Sequence, residues 1–180
     1  IRDRILSIRV IPDRSDPHYS KYEREPEATI QESLARAIGY AIAHGAQVIS
    51  MSIGYSAPSA PVRQALQAAY AHGVVVIASS GNSGSADASS SGAPESFPAD
   101  YPGVIGVAAV NSSGDVAGFS SDNLSVQVAA PGVSVPAQGR DARSYALSLA
   151  LCELERDRRP RRGSNVFRSG APSSLLTAAV

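Results

Sequence analysis

The sequence predicts an α/β fold with a doubly wound, mostly parallel sheet and helices on both faces. Short apolar runs alternate along the chain with segments of helical periodicity. The two periodic segments each end at a His-Gly pair, His44-Gly45 and His72-Gly73, and an apolar run follows each pair. The run from Val74 to Ala78 (VVVIA) is β-branched and apolar throughout, which is typical of a central parallel strand covered on both faces. Such an alternation predicts right-handed crossovers between parallel strands.

The first half of the chain predicts a strand, a loop, a helix and a second strand. Residues Ile1 to Val10 contain a mostly apolar run that suits a buried strand. Residues Asp13 to Pro26 are polar, with Asp-Pro and Glu-Pro steps that favour a surface loop. Apolar side chains then recur at helical spacing, which predicts a helix of about Glu27 to Ala43 ending at His44-Gly45. The apolar segment Ala46 to Ile53 (AQVISMSI) predicts the second strand.

The next elements repeat this alternation. Pro61 opens a second helix, because proline suits the first helical positions, and this helix ends at His72-Gly73. The strand Val74 to Ala78 follows directly. Residues Ser79 to Pro98 are rich in Ser, Gly and Ala, which cannot build a core, and therefore predict a loop. Two further strands are predicted, over Val104 to Val110 and Leu124 to Ala130.

Composition and charge exclude several classes of protein. The 180 residues are 43% hydrophobic and 18% charged, which is the composition of a soluble globular domain. Sixteen basic residues balance sixteen acidic ones, which argues against a nucleic-acid binder or a polybasic membrane protein. No apolar run approaches the roughly 20 residues that cross a bilayer. The single cysteine, Cys152, excludes an internal disulfide and a zinc site made of cysteines alone.

Charge is unevenly distributed along the chain. Residues 1–145 carry 10 basic and 13 acidic side chains, whereas residues 146–180 carry 6 and 3. All six late basic residues are arginines between Arg156 and Arg168. This shift predicts a boundary near Tyr145, with a domain core over residues 1–145 and a divergent or disrupted tail over residues 146–180. Out-of-frame translation of GC-rich DNA and a solvated divergent segment both account for the composition of the tail.

Two strand ends are candidates for a binding site. In an open parallel sheet, ligands bind outside the carboxyl ends of the strands. The segments Ser50 to Gly54 and Ser79 to Gly84 follow two predicted strands, and their glycines allow a ligand backbone to approach closely. Asn82 adds an amide donor at this edge. The alternative interpretation is that both segments are ordinary exits from strands into loops.

Five strings in order carry a resemblance to a known family. They are HGAQVISMSIG, HGVVVIASSGNSG, FPADYPGVIGVAAV, FSS and VQVAAPGV. Over about residues 1–140 the chain resembles the subtilisin-like serine peptidases (subtilases), in particular the secreted bacterial type. The resemblance implies a partial subtilisin-like core, peptide-bond hydrolysis by an Asp-His-Ser mechanism, and a location outside the cell or in the cell envelope. Its implied partners are a peptide or protein substrate and the missing N-terminal part of the same domain, with no nucleic acid and no membrane span.

The resemblance implies roles for a small set of residues. Asn82 matches the asparagine that donates to the oxyanion of the tetrahedral intermediate. The segment ending Ser52-Ile53-Gly54 matches the strand that pairs with the substrate peptide, and Ser79-Ser80-Gly81 matches the wall of the pocket for the substrate's P1 side chain. The residues assigned to substrate binding are Ser50, Met51, Ser52, Ile53, Gly54, Ser79, Ser80 and Gly81.

The catalytic residues of the family are not matched in this chain. The family's Asp and His precede the segment that matches the first strand. His44 and His72 lie at predicted helix ends, where histidine interacts favourably with the helix dipole. His18 lies in the polar loop, so no triad can be assembled from these three histidines. Ser148 falls near the expected position of the nucleophile, but no Gly-Thr precedes it.

Other nucleophiles are weaker candidates. Ser173 and Ser174 come too late in the chain, and no base is assignable near Cys152. We therefore predict a fragment of a subtilisin-like endopeptidase that is inactive alone. The alternative prediction is a non-catalytic peptide-binding pseudoprotease.

No cofactor is predicted. Members of the family often bind structural calcium, but no side-chain site is evident here, and a site would depend on backbone carbonyls around Ala99, Tyr101 and Val104. The string Asp87-Ala88-Ser89-Ser90-Ser91 resembles the metal site of von Willebrand A-type domains, which would suggest a third class, a nucleotide- or metal-binding domain. It lies within a Ser/Ala/Gly-rich loop well beyond the nearest predicted strand, so a solvated loop is the preferred interpretation.

Overall fold

The computed structural model describes residues 4–12, 16–22, 24–84, 95–138, 145–148 and 175–179. Within these ranges the chain forms three helices and eight strands. The elements are β1 (Ile5–Arg9), α1 (Tyr19–Tyr22), α2 (Glu27–Ala43), β2 (Val48–Met51), α3 (Ala60–Ala71), β3 (Val75–Ser79), β4 (Ile105–Val110), β5 (Val126–Pro131), β6 (Val135–Gln138), β7 (Tyr145–Ser148) and β8 (Leu175–Ala179).

The main sheet has six strands in the order β1-β8-β2-β3-β4-β5. Strands β2, β3, β4 and β5 are parallel, which confirms the predicted parallel α/β sheet. Strand β8 runs antiparallel to both of its neighbours, so β1 and β2 are parallel to each other across it. In this register Ala178 pairs with Leu6 on one side and with Ile49 on the other. A separate antiparallel hairpin joins β6 and β7.

The two long helices end as their sequences predict. Gly45 and Gly73 have φ angles of 77° and 73°, a left-handed conformation that glycine adopts at low cost. The preceding residues, His44 and His72, cap the helices, and the Nδ1 atom of each lies 2.8 Å from a backbone carbonyl one turn earlier. The two histidines therefore lie at the predicted helix ends, while their interaction with the helix dipole stays a prediction.

One face of the sheet carries the core. Leu34 and Ile38 of α2 and Leu66 of α3 are at most 1% exposed, and they belong to the same cluster as the buried residues of β2 and β3. Burial alternates along β2, where Ile49 and Met51 are buried and Ser50 is exposed. Helices α2 and α3 therefore pack together on the face that Ile49 and Met51 present.

The opposite face of the sheet carries several exposed or half-exposed apolar side chains. Val75 of β3 is 45% exposed, Val128 of β5 is 49% exposed and Ile5 of β1 is 71% exposed. Among the described residues, neither α2 nor α3 packs on this face. Cover of the second face by helices stays a prediction.

Candidate functional site

The carboxyl ends of β2 and β3 lie side by side. The parallel ladder between them ends at the pair Met51 and Ala78, and both chains continue past the edge of the sheet. The sequence-predicted segments Ser50 to Gly54 and Ser79 to Gly84 are therefore brought together at one edge. Met51 is 1% exposed and packs in the core, so it supports this edge from within and is not itself accessible to a peptide.

The segment after β2 has backbone groups available for pairing. Tyr55 and Phe97 form an isolated antiparallel bridge, with both N–H to carbonyl distances at 2.9 Å. Within the described residues, neither Ile53 nor Gly54 forms a backbone hydrogen bond. The side chain of Ile53 is 2% exposed, which fixes the segment in the core. Gly54 is partly exposed, so its backbone donor and acceptor are available to a peptide, whereas Ile53 anchors the segment.

Hydrogen bonds also fix the position of the loop that leads from this segment into α3. Gln31 of α2 is buried, and its Nε2 donates to the carbonyl of Ala57 at 3.1 Å. The hydroxyl of Tyr101 donates to the Ser59 carbonyl at 3.0 Å and accepts from the Ser59 N–H at 2.5 Å. The position of the segment is therefore set by contacts on both sides of the loop.

The loop that carries Asn82 is held by Ser121. The Ser80 hydroxyl donates to the Ser121 carbonyl at 3.0 Å, and the Ser121 N–H donates to the Gly81 carbonyl at 3.1 Å. The Ser83 N–H donates to the Ser121 hydroxyl at 3.1 Å. Hydrogen bonds thus hold the chain on both sides of Asn82, whose side chain is partly exposed.

A serine that the sequence analysis did not select closes the space between the two strand ends. A Cβ built on Gly81 would lie 2.9 Å from the Ser96 Oγ, and one built on Gly54 would lie 3.2 Å from the same atom. Gly81 also has a φ of 102°, which favours glycine. Ser96 precedes the bridge residue Phe97, and no sequence pattern marks it, because its role depends on contacts across the sheet edge.

Two hydroxyls are buried near this edge. The Tyr55 hydroxyl and the Ser79 Oγ have no hydrogen-bond partner among the described residues, and the two side chains are 8% and 7% exposed. Burial is the main cause that raises the pKa of Tyr55, with Tyr101 and Glu27 adding smaller effects. Tyr55 therefore stays neutral in the folded state well above pH 10.

We expect Tyr55→Phe to stabilise the chain by about 1 kcal/mol, because it removes a buried hydroxyl without a partner. It should also weaken the loss of stability above pH 10. In the wild type the pKa of Tyr55 is raised on folding, so at alkaline pH the unfolded state loses a proton that the folded state keeps, and stability falls as pH rises. Urea unfolding at pH 8 and pH 11 measures both effects. Equal or lower stability of the variant at both pH values would contradict the assignment.

Ser148 lies apart from the main sheet. It is the last residue of β7 and pairs with Val135 in the two-stranded sheet. Asn82, by contrast, follows β3 of the six-stranded sheet. Among the described hydrogen bonds, none joins a histidine to a serine hydroxyl, so the described residues assemble no catalytic triad. Cys152, Ser173 and Ser174 lie outside the described residues.

The turn around Ala99, Tyr101 and Val104, whose carbonyls are the candidate calcium ligands, has some of its oxygens engaged in hydrogen bonds, and calcium binding there stays untested. The Tyr101 carbonyl already accepts from the Val104 N–H at 3.1 Å. Asp100, the carboxylate of this turn, accepts hydrogen bonds from Ser96, Asn123 and Ser125. Calcium requires six to eight oxygen ligands. In the described part of the chain there is no cluster of three acidic, histidine or cysteine side chains suited to a metal, and the string from Asp87 to Ser91 lies outside it.

The candidate site, called the groove below, is the edge of the sheet between the segments Ser50 to Gly54 and Ser79 to Gly84. A cavity of about 140 Å³ lies at the opposite, amino edge, where it is lined by Arg4, Ile5, Leu6 and His44. None of the helices in the described ranges combines the length and apolar character needed to cross a membrane.

The chain is similar to known peptidases in sequence. The model of the subtilase family matches residues 19–164. Subtilisin DY of Bacillus licheniformis is 42% identical over 103 residues, which cover 57% of this chain and 36% of the relative. The minor extracellular protease Epr of Bacillus subtilis (strain 168) is 34% identical over 104 residues, which cover 58% of this chain and 15% of that protein. The chain thus spans about a third or less of these curated relatives.

Solved structures agree with this similarity. The prenylagaramide maturation protease PagA superposes with a TM-score of 0.57 at 25% identity, over 67% of this chain and 43% of that one. The psychrophilic subtilisin-like protease Apa1 of Pseudoalteromonas sp. AS-11 superposes with a TM-score of 0.51 at 36% identity, over 57% and 22%. Because the family model covers most of the chain and the parallel sheet matches these folds, the chain belongs to the subtilase family.

Proposed function

We propose that this chain is part of a subtilisin-like serine endopeptidase, in which it supplies the groove that binds the substrate peptide. One observation carries the proposal: the partly exposed Gly54, whose backbone forms no hydrogen bond within the described residues, lies at the strand end beside the loop of Asn82. An extended peptide can add to such a segment by main-chain hydrogen bonds, while pockets beside it select side chains.

Asn82 would act as the oxyanion donor. A donor of this kind is effective when it is held in place before the charge develops, because no reorganisation is then needed during the reaction. The bonds that Ser121 makes to Gly81 and Ser83, on either side of Asn82, support this role. The catalytic Asp, His and Ser are proposed to act in the intact domain, so the chain alone binds peptide without cleaving it.

The half-exposed face of the sheet supports a proposal about the rest of the domain. An exposed apolar face of this kind, which includes Val75 and Val128, favours burial against another surface. We propose that the missing N-terminal part of the same domain packs there and brings the catalytic Asp and His. The two relatives are a subtilisin and a protease of Bacillus, and the second is named as extracellular, which supports a location outside the cell or in its envelope.

The test compares two peptides on the full chain. Acetyl-Ala-Ala-Ala-Ala-amide should bind by calorimetry and remain uncleaved by mass spectrometry. The same peptide N-methylated at its two central residues should bind at least about tenfold more weakly, because it lacks ladder donors. In the protein, Ile53→Pro should abolish binding and Ile53→Val should preserve it, provided that both variants retain the circular dichroism spectrum of the wild type.

Equal affinity for the two peptides would contradict pairing along this segment.

Non-catalytic peptide binding is the second candidate function. It is favoured by the position of Ser148, the candidate nucleophile, on β7 of the two-stranded sheet and not on the main sheet. Cleavage of the unmodified peptide by a protein that joins this chain to the matching N-terminal part of a relative, and its loss in Ser148→Ala, would support the endopeptidase with Ser148 as the nucleophile. Binding without cleavage in that protein would support the second candidate.

A further inference from the structure

The six-stranded sheet has two outer edges, formed by β1 and β5. Among the described residues, no strand and no isolated bridge pairs with the outer side of either one. Natural edge strands are commonly protected from pairing by charged side chains. Strand β1 has this protection, because it contains Arg9 and follows Arg4, whereas residues 123–138 carry no charged side chain at all. Strand β5 is therefore the edge without charge protection.

Strand β5 is open on both of its faces. The five residues from Gln127 to Pro131 are exposed, and Val128 is exposed to 49%. Side chains alternate between the two faces of a strand, so Val128 and Ala129 point to opposite sides of the sheet. Since both are exposed, the described part of the chain covers neither face, and a further strand can approach this edge.

The backbone of β5 directs one complete residue outward. The Gly132 N–H donates to the Val110 carbonyl at 3.0 Å, and Val110 pairs with Pro131 in the parallel ladder. Alternate residues of a strand direct their backbone groups to opposite edges, so Gly132 and Ala130 bond to β4 while Ala129 and Pro131 face away from it. Proline has no N–H to offer at this edge. Ala129 therefore presents both a donor and an acceptor, and Pro131 presents an acceptor alone.

We propose that the outer edge of β5 is an interaction surface for a second copy of this chain, whose β5 pairs with it in antiparallel orientation about a two-fold axis at Ala129. In this register the two Ala129 residues exchange both backbone hydrogen bonds, and Val128 of each copy lies opposite Ala130 of the other. A second copy fits because the strand is uncharged and does not repel itself. The groove follows β2 and β3, so this interface does not depend on peptide binding there.

The first experiment measures association of the full chain by sedimentation velocity. One strand pair buries much less than the roughly 1,600 Å² of a standard interface, so we expect a weak dimer with a dissociation constant of about 10–100 µM. The position of Ala129 on the axis allows a charge test, since a side chain introduced there faces its own copy. Ala129→Lys and Ala129→Glu should each weaken the dimer at least about tenfold, because like charges directly opposite each other repel. An equimolar mixture of the two variants should dimerise again.

Two controls separate edge pairing from association through the apolar face. Ala129→Ser, which adds no charge, should dimerise as the wild type does. Val75→Lys places a charge on the half-exposed face of β3, away from the edge, and should leave the dissociation constant within about threefold of wild type. All variants are compared after their circular dichroism spectra have been matched to that of the wild type.

Amide exchange in the wild type tests the register without any substitution. The Ala129 amide should exchange more slowly as the protein concentration rises, whereas the Ala130 amide, which bonds to β4, should not change. A chain that stays monomeric at about 300 µM would overturn the proposal. Association that is lost in Val75→Lys but kept in Ala129→Lys would assign it to the apolar face and overturn the edge interface. A monomer whose Ala129 amide is protected only by acetyl-Ala-Ala-Ala-Ala-amide would overturn the second copy as the occupant and assign the edge to extended peptides.

Discussion

Gly106→Ala is expected to destabilise the chain by about 3 kcal/mol or more, or to prevent folding. A Cβ at this position would lie 2.6 Å from the backbone oxygen of Ser125 and 3.2 Å from its carbonyl carbon. These are backbone atoms of the chain leading into β5 and cannot rotate away as a side chain can. The pairing register between β4 and β5 shifts at Gly106, and its N–H donates to Gln127 Oε1 at 2.5 Å. Urea unfolding followed by circular dichroism measures the loss.

The matched control is a glycine of the same chain in open space. Gly39 lies within α2, is exposed, and would place a Cβ with no atom within 4 Å. Gly39→Ala should stabilise the chain by about 0.5–1 kcal/mol, because alanine is the better helix former. Equal small effects of the two substitutions would show that β5 does not approach β4 as closely as described.

Thr177→Pro is expected to abolish cooperative unfolding or to cause association of the chain. Thr177 lies in the middle of β8, where it pairs with Ser7 on one side and Ser50 on the other. Proline removes a ladder N–H and does not fit a strand with neighbours on both edges. Loss of β8 would also leave the facing edges of β1 and β2 open, and open strand edges promote aggregation.

Thr177→Val is the control for this substitution. Valine keeps the backbone N–H and is β-branched like threonine, so the strand should persist with a change within about 1 kcal/mol. Thermal unfolding and size-exclusion chromatography, performed at the same protein concentration, measure both variants. A cooperative, monomeric Thr177→Pro chain as stable as wild type would contradict the placement of β8 between β1 and β2.

Sequence patterns predicted those helices and strands whose formation depends on residues that are neighbours in the chain. Helix α2 follows from apolar residues at helical spacing and a terminal glycine, and it matches the predicted bounds, Glu27 to Ala43. Strand β3 follows from its β-branched run. Helix α1 was missed, and the loop predicted there was wrong at this point, because four residues are too few to show a helical period. Strand β8 was also missed, since its pairing depends on strands far away in sequence.

Part of the candidate site could likewise be predicted from the sequence, and part of it could not. The two strand ends that carry Ile53 and Asn82 could be found from the strand pattern and from the rule for parallel sheets. Ser96 and Asp100 could not, because their contacts with Gly81 and Asn123 form across the fold and leave no periodic signal. The oxyanion role of Asn82 and the nucleophile role of Ser148 stay predictions.

The position of β8 has a consequence for the time course of folding. Its partners β1 and β2 lie in the first third of the sequence, whereas β8 lies at its end. The sheet therefore pairs strands that are far apart along the chain. Proteins rich in such long-range pairings have high contact order and fold slowly, because loop closure precedes the stabilising contacts. During synthesis on the ribosome, the facing edges of β1 and β2 would remain unpaired until β8 emerges. Chaperone binding is therefore expected to concentrate on the nascent β1–β2 region.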